Sequence, residues 1–266
     1  MPNWGEILKI SKSQLTTYLQ CPRKYRFQYV EGRDWEFMPA ALVFGKAIHQ
    51  AAACFYQHFQ QFRTKPQLEA VLLEFANAWN GECQKQPIRF QGELSQQELE
   101  AQGKSLLSLF YQEIAPREIH AVELPFCADL VNPETGEVSD VKLVGFLDLV
   151  EKDQDGSVIV AEIKTSSKRY SEGEGENKLD GFTYAYALKQ LGVVAADQPL
   201  LIRYDVLVKT KKPAFQQIFY NRGPEDDRRF LLQIREVLRA IDRQVFYPNF
   251  GWWCAGCPFQ TPCFAS

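Results

Sequence analysis

The cysteines at the two ends of the chain place the strongest constraint on how it folds. Cys254, Cys257 and Cys263 follow one another as C-x2-C-x5-C within the last thirteen residues, and Cys21 lies near the other end. Thiolates spaced this tightly are typical of a soft-metal site, which needs a fourth ligand. Cys21 is the preferred candidate because a proline follows it and cations flank it, which favours a thiolate. Such a site would join the two ends of the chain.

The spacing also bears on which metal the thiols would bind. Structural zinc usually takes its ligands from two short knuckles, whereas this chain has one C-x2-C knuckle and two single cysteines. That arrangement favours a structural [4Fe-4S] cluster, with zinc and unligated thiols as the alternatives. We expect the neighbouring aromatic side chains to shield the cluster from solvent. They are Phe250, Trp252, Trp253, Phe259 and Phe264.

The other cysteines indicate the cellular compartment. Cys54, Cys83 and Cys127 are expected to be small residues of the core. An odd total of seven cysteines, without a signal peptide or a long apolar run, argues against a secreted disulfide scaffold. The sequence therefore predicts a cytoplasmic protein in a reducing compartment.

Length and composition allow one substantial core. With 266 residues, of which 45% are hydrophobic and 24% charged, the chain can form a single large domain over residues 1–266. We expect a helical part over about 1–115, a strand-rich part over about 116–222, and a final helix with the cysteine cluster over about 223–266. The net charge of -3 gives no overall attraction to nucleic acid, so any attraction to DNA must be local.

Hydrophobic periodicity predicts helices at both ends and strands between them. The predicted helices are 13–29, 40–63, 67–80, 95–115, 178–191 and 224–243, and the predicted strands are 119–126, 142–151, 157–164, 200–209 and 215–220. Three successive strands with short turns, then a helix, then further strands, predict a central mixed sheet with helices on its faces. The expected class is α/β or α+β.

A charged group interrupts one apolar strand. Asp148 lies inside the run from Leu143 to Val150, so its carboxylate needs a partner. Glu162 and Lys164 lie two residues apart on the next predicted strand and share one face. Alone, that pair could be a surface ion pair of little energetic weight. A divalent metal ion shared by Asp148 and Glu162 would supply the missing partner.

The turn between these two strands tests the metal hypothesis. A two-residue loop, Asp155-Gly156, would place the carboxylates of Asp148 and Glu162 on opposite faces. A three-residue loop, Gln154-Asp155-Gly156, would set them opposite each other on one face. The hypothesis therefore requires an odd loop or a bulge.

These residues resemble the motifs of a known nuclease family. The segments Gly-Phe-Leu-Asp148 and Glu162-Ile-Lys164 are similar to the core motif of the PD-(D/E)XK nuclease superfamily, and the whole arrangement resembles its RecB-like branch. His49, in Phe-Gly-Lys-Ala-Ile-His, matches the helical histidine of that branch, and Glu123 matches its first-strand glutamate. Cys21, Cys254, Cys257 and Cys263 resemble the iron-sulfur staple of its AddB-type and CRISPR-associated members.

The resemblance implies a restriction-endonuclease-like core that hydrolyses DNA phosphodiester bonds with Mg²⁺ or Mn²⁺. It implies that Asp148, Glu162, His49 and the main-chain carbonyl of Ile163 hold the metal ion, and that Lys164 orients or deprotonates the attacking water. It further implies an exonuclease for DNA repair, recombination or CRISPR-type processing. DNA, single-stranded or as duplex ends, would be its partner, with a helicase or integrase beside it.

Several further residues are candidates for contacting the substrate. They are Glu123, Lys168, Arg169, Asp180 and Tyr184. Asp180 is also a departure, because the branch usually carries Gln-x-x-x-Tyr where this chain reads Asp180-Gly-Phe-Thr-Tyr184. The departure leaves an alternative open, in which a catalytically weak or inactive chain keeps the fold and the cluster as a DNA-binding scaffold.

Overall fold

The computed structural model describes residues 8–90 and 94–265. The strands are β1 Leu8–Ser11, β2 Met38–Pro39, β3 Ile88–Arg89, β4 Glu118–Val131, β5 Val138–Lys152, β6 Val158–Ser166, β7 Leu200–Val208 and β8 Ala214–Arg222. The helices are α1 Lys12–Gln20, α2 Pro22–Tyr25, α3 Ala40–Phe62, α4 Leu68–Lys85, α5 Gln96–Glu113, α6 Leu179–Gln190, α7 Pro224–Asp242 and α8 Gln260–Phe264. A π-helical turn, Arg26–Val30, follows α2, and a 3₁₀ turn, Trp252–Gly256, precedes α8.

Six of these strands form one mixed sheet. Their order is β1-β5-β6-β7-β8, and β4 pairs with β5 as well. The pairs β1/β5 and β6/β7 are parallel, whereas β4/β5, β5/β6 and β7/β8 are antiparallel. The parallel neighbours β6 and β7 are joined through α6, as a crossover connection requires. Strands β2 and β3 form a separate small pair.

Strand β5 is shared by three neighbours, and this sharing creates a fork in the sheet. β4 pairs along most of the length of β5 and so covers one edge. On the other edge, residues 141–144 pair with β1 and residues 149–152 pair with β6. Residues 145–148 therefore lie where β1 and β6 diverge. We call this place the fork, and Asp148 is the last of the four residues that lie there.

Helices cover both faces of the sheet. Buried side chains of α1, α6 and α7 form one apolar cluster, which includes Leu15, Tyr184 and Phe230. Buried side chains of α3, α4 and α5 form a second cluster, which includes Phe44 and Phe75. The expected mixed α/β fold with helices flanking a central sheet is thus confirmed. Among the described helices, none is long and apolar enough to cross a membrane.

The expectation of one helix over 13–29 was wrong. Helix α1 ends at Gln20, and Cys21 has extended backbone angles, φ -159° and ψ 105°. Pro22 explains the break, because a proline ring clashes with a helical conformation of the residue before it. A new short helix then begins at Pro22 itself, where a missing backbone N–H is tolerated.

The N-terminal helices and the C-terminal segment lie side by side. The hydroxyl of Tyr18 donates a hydrogen bond to the carbonyl of Val245 at 2.7 Å. The backbone N–H of Arg23 donates to the carbonyl of Tyr247 at 3.0 Å. Further along, the side-chain amide of Asn249 donates to the carbonyl of Gln20 at 2.8 Å. These bonds hold the region of Cys21 against the segment that leads to the other cysteines.

Candidate active site

Three acidic residues lie in a row across the sheet. The register of β4 and β5 sets Glu123 across from Asp148. The register of β5 and β6, continued by one pair, sets Asp148 across from Glu162. The hairpin closes with a bond from the N–H of Asp153 to the carbonyl of Ser157 at 2.9 Å, so the loop has three residues. This is the odd loop that the metal hypothesis required.

Gly145 opens the motif that ends at Asp148, and close packing explains the glycine. A Cβ atom at this position would lie 2.8 Å from Cζ of Phe126, whose ring crosses over from β4. Real Cβ atoms do not approach so closely, so any other residue would push Phe126 away. The absence of a side chain at Gly145 thus allows the aromatic ring to pack at the fork.

Asp148 is held by a histidine and by the neighbouring strand. His49, on α3, places Nδ1 3.0 Å from Oδ2 of Asp148. The backbone N–H of Ile163 donates to the same oxygen at 3.1 Å. Burial acts to raise the pKa of Asp148, but the hydrogen bond with His49 outweighs it and lowers that pKa. The same pair raises the pKa of His49, although burial alone would lower it. The geometry favours an ionised carboxylate whose Oδ2 accepts a hydrogen bond from Nδ1 of His49.

Glu162 is buried, with 2% of its side chain exposed, and three donors surround it. Lys164 approaches Oε1 at 2.5 Å and Lys12 approaches the same atom at 3.2 Å. The hydroxyl of Tyr184 donates to the other carboxylate oxygen. Burial and the nearby Asp148 both act to raise the pKa of Glu162, but the two ammonium groups outweigh them and lower it. Glu162 is therefore a buried carboxylate that depends on its cationic neighbours.

Lys12 is a member of this site that sequence reasoning missed. Its ammonium contacts Oδ1 of Asp180 at 2.5 Å and the hydroxyl oxygen of Tyr184 at 2.7 Å. Lys164 contacts the same Asp180 oxygen at 3.0 Å, so this carboxylate bridges two lysines. Lys12 begins α1 directly after β1 and is 150 residues from Glu162 in sequence. No local pattern signals that contact, because only the pairing of β1 with β5 brings Lys12 to the fork.

Glu123 shows that negative charge is crowded here. Burial, followed by repulsion from Asp148, raises the pKa of Glu123 to about 7. Its backbone is left-handed, with φ 50°, which is uncommon for a residue with a Cβ atom. The carboxylates of Glu123, Asp148 and Glu162 are oxygen donors that suit Mg²⁺ or Mn²⁺, and the imidazole of His49 adds a nitrogen donor of the kind that transition metals favour. As the side chains stand, no three or more His, Cys, Asp or Glu side chains in the described ranges are arranged as a metal site.

Lys168 and Arg169 do not join this cluster. Both side chains are exposed in the turn after β6. The ammonium of Lys168 lies 3.8 Å from the carboxylate of Glu174, in the acidic loop that follows. The structure thus brings together Lys12, His49, Asp148, Glu162, Lys164, Asp180 and Tyr184, with Glu123 at the edge of the group.

Comparison with known proteins now decides the family. The sequence profile of the PD-(D/E)XK nuclease superfamily matches residues 9–264, which is nearly the whole chain. The chain belongs to the PD-(D/E)XK nuclease superfamily. The comparison with curated proteins gave no match.

Two solved structures are similar to this member of the superfamily. A putative exonuclease from Eubacterium rectale aligns over 91% of this chain and 84% of its own, with 11% identity and a TM-score of 0.51. The protein SSO0001 aligns over 99% of this chain and 89% of its own, with 15% identity and a TM-score of 0.47. At these identities the first of the two shows a shared fold.

The terminal cysteines of this superfamily member meet in one place. Cys21, Cys254, Cys257 and Cys263 all line a single cavity between α2 and the C-terminal segment. Burial raises the pKa of Cys257 and of Cys263, and the other thiols of the group raise it further.

Two expectations about the surroundings of the cysteines are met in part. Cys54, Cys83 and Cys127 are half-buried, and of these Cys83 packs against the second apolar cluster. Four of the five aromatic residues expected to shield a cluster line the same cavity as the cysteines; they are Phe250, Trp253, Phe259 and Phe264. Trp252 does not line that cavity, and its side chain is 85% exposed.

Proposed function

We propose that this chain is a divalent-metal-dependent deoxyribonuclease that acts as an exonuclease with Mg²⁺ or Mn²⁺. One observation carries the proposal. Asp148 and Glu162 lie across from each other at the fork, and the ammonium of Lys164 is held 2.5 Å from Glu162. Two carboxylates and a lysine in this arrangement match what phosphodiester hydrolysis needs from a protein. Membership of the nuclease superfamily supports the same conclusion.

The proposed metal ligands are Asp148, Glu162, His49 and the main-chain carbonyl of Ile163. A divalent ion bound there would polarise a phosphoryl oxygen and lower the pKa of a bound water. The crowding of carboxylates that raises the pKa of Glu123 favours a cation at this place. Asp148 is already oriented by His49 and by the N–H of Ile163, so its position is fixed before any ligand arrives.

The lysines would act on the reacting groups. During hydrolysis, the water oxygen forms a bond to phosphorus, the bond to the leaving oxygen breaks, and that oxygen takes a proton. Lys164 is 23% exposed, so its ammonium can donate to the attacking water or to a phosphate oxygen. Its positive charge would offset the negative charge that develops on the phosphate. Asp180 and Glu162 position this ammonium, and Tyr184 positions Glu162.

We also propose that Cys21, Cys254, Cys257 and Cys263 hold a structural [4Fe-4S] cluster, with zinc as the alternative. The support is that all four thiols line one cavity, although Cys21 is far from the others in sequence. Such a link closes a loop of about 233 residues. By analogy with disulfides, it would restrict the unfolded chain by roughly 5 kcal/mol at most.

The biological setting of the proposal is that of the RecB-like branch. The nuclease would act on single strands or duplex ends in repair, recombination or CRISPR-type processing, in a cytoplasmic, reducing environment and beside a helicase or integrase. A second function, that of a DNA-binding scaffold with little activity, has one observation in its favour. Asp180, which stands where the branch has a glutamine, engages both Lys12 and Lys164.

Digestion of end-labelled DNA tests the proposal against this alternative. We expect single-stranded or blunt duplex DNA to shorten with Mg²⁺ or Mn²⁺ and to stay intact with a chelator. Asp148→Ala should abolish the activity because it removes a metal ligand. Asp140→Ala, at the exposed end of the same strand, is the matched control and should cut like the wild type. If the wild type cuts no DNA form with either metal, the scaffold function replaces the nuclease.

A further inference from the structure

The most exposed aromatic side chain near the C-terminal cysteines borders a positively charged depression. Trp252 is 85% exposed. It lines this depression together with Trp253, Gln20, Lys24 and Arg89, and none of the described residues that line it is acidic. We call Trp252, Trp253, Lys24 and Arg89 the tryptophan platform.

The side chains of the tryptophan platform are held in place. The indole N–H of Trp253 donates to the carbonyl of Asn249 at 3.0 Å, and the two indole rings lie 5.8 Å apart, edge to face. The guanidinium of Arg89 lies 4.7 Å from the ring centre of Phe37. The platform thus offers a largely exposed indole, that of Trp252, beside the two cations Lys24 and Arg89.

We propose that the tryptophan platform binds a single-stranded segment of DNA. A flat, exposed indole stacks on any nucleobase, and neighbouring cations bind the phosphates on either side of it. Inside a duplex the base faces are stacked on one another, so only a terminal base pair offers a face to Trp252. Tryptophan and arginine are also common in protein interfaces, whereas lysine is depleted there, so a protein partner is the alternative that the binding experiments must separate from DNA. This inference rests on the proposed function and adds the strandedness of the substrate.

Helix α1 connects the tryptophan platform with the active site. Lys12 is its first residue and contacts Glu162, whereas Gln20 is its last residue and lines the platform. Nine helical residues separate the two places by about 12 Å along the helix axis. No residue of α1 is acidic, so a DNA backbone running beside it meets no repulsion from this helix. At roughly 3.4 Å per stacked nucleotide, the strand between platform and active site would be about four nucleotides long.

The first experiment measures binding without cleavage. Fluorescence anisotropy of labelled oligonucleotides, with a chelator present, gives the affinity of the whole chain for single strands and for duplexes closed by a hairpin at both ends. We expect Trp252→Ala to weaken single-strand binding by roughly 5- to 150-fold, the range for loss of one stacked base, and to leave duplex binding unchanged. Trp252→Phe should recover most of the affinity. Phe62→Ala, which removes a 55% exposed aromatic ring at the end of α3, is the matched control and should bind normally.

The second experiment isolates the contribution of charge. Arg89→Gln should lower the slope of log affinity against log salt concentration by about 0.7, the value for one phosphate contact with a single strand. Oligonucleotides of two or three nucleotides cannot reach from the active site to the platform, so we expect them to bind the wild type much more weakly than oligonucleotides of ten nucleotides. The ten-nucleotide strands should show the full loss with Trp252→Ala.

The outcomes separate this inference from the proposed nuclease. Visible absorption and metal content of each variant show whether the cysteine site is intact. If Trp252→Ala loses the metal of the cysteine site, the binding data of Trp252→Phe and Arg89→Gln decide the test instead. If neither the Trp252 variants nor Arg89→Gln changes single-strand binding, the platform is not a DNA site and Trp252 serves a protein partner. Cleavage plays no part in these measurements. A chain that binds single strands through the platform and cuts no DNA would therefore contradict the proposed nuclease activity but not the proposed binding site.

Discussion

The carboxylate of Asp180 lies between two ammonium groups, 2.5 Å from Lys12 and 3.0 Å from Lys164. Together with Glu162 these residues form a group of two acids and two bases, so the charges balance. A glutamine at position 180 would leave the group with one net positive charge. Asp180 and Lys12 are therefore best understood as a matched pair, because each charge offsets the free-energy cost of burying the other.

Replacement of Lys164 separates water orientation from metal binding. Lys164→Ala leaves Asp148, Glu162 and His49 in place, so we expect metal and DNA binding to persist while cleavage falls by about 10²-fold or more. Asp148→Ala should instead weaken Mn²⁺ binding and cleavage together. Titration calorimetry with Mn²⁺ and a digestion assay measure the two effects. Equal loss of Mn²⁺ binding in both variants would contradict the assignment of Lys164.

Replacement of Lys12 tests the residue that only the structure revealed. Lys12→Met removes a partner of Glu162 and of Asp180 but leaves Lys164 in contact with both. We expect cleavage to fall by about 10-fold, less than the roughly 10²-fold typical of a donor that contacts the reacting atoms. Lys104→Met, on a surface pair with Glu100, is the control. The double variant of Lys12→Met and Asp180→Gln should cleave faster than Lys12→Met alone, because it removes both members of the pair. If the double variant is no more active than Lys12→Met, the two residues are not a matched pair.

The part of the site that could be predicted consists of the residues that a sequence pattern marks. Asp148 stands out because a charge interrupts an apolar strand, and Glu162 and Lys164 follow from strand periodicity. His49 and Glu123 came from resemblance alone. Lys12 could not be found, because its position at the fork depends on a parallel pairing between segments some 130 residues apart, which no local pattern encodes.

Between elements, a second buried charge cluster joins β5 to β7. Arg203 contacts Glu151 at 2.5 Å and Asp205 at 2.9 Å, and none of the three side chains is more than 1% exposed. Gln217 of β8 donates a further hydrogen bond to Asp205 at 2.8 Å. Glu151 is on β5, three residues after Asp148, so this cluster fixes the strand that carries the candidate metal ligand.

Breaking that cluster should destabilise the whole sheet. Arg203→Met leaves two buried carboxylates without their cation, which typically costs about 3 to 5 kcal/mol of unfolding free energy. Arg235→Met removes an arginine of α7 that pairs with Glu134 and Glu236 at the surface, and we expect no measurable change. Urea denaturation followed by circular dichroism measures both. If the two variants unfold at the same urea concentration, the buried cluster contributes nothing.

The elements themselves were largely predictable, and the exceptions have physical causes. Helix α3 and strand β7 were expected within a residue of their observed ends, because their apolar runs are long and bounded by turns. Strand β1 was missed because four residues carry too little periodicity to stand out. The break at Cys21 was missed because helical periodicity on both sides outweighed the effect of Pro22 in the prediction.

For the molecule as a whole, the cysteine cavity is the place where the two ends meet. We expect Cys21→Ser to lose the cluster and to lower the thermal midpoint, although Cys21 is remote in sequence from the other three thiols. Cys83→Ser, which changes a half-buried cysteine outside the cavity, should keep both. Iron and sulfide analysis of anaerobically purified protein, with its visible spectrum, measures the effect. A colourless wild type with one bound zinc would favour the alternative metal, and unchanged iron in Cys21→Ser would place the fourth ligand elsewhere.

Because the cysteine cavity needs residues that are far apart in sequence, it can form only late in the synthesis of this part of the chain on the ribosome. Cys21 emerges about 233 residues before Cys254, and at roughly 5 to 20 residues per second that interval is about 10 to 50 s. Throughout it, the thiol of Cys21 has none of its cavity partners, and β1 must wait for β5 before Lys12 can reach the fork. The nascent chain therefore spends this interval with its cysteine cavity unformed, and Lys12 can join the active site only after β5 has been synthesised.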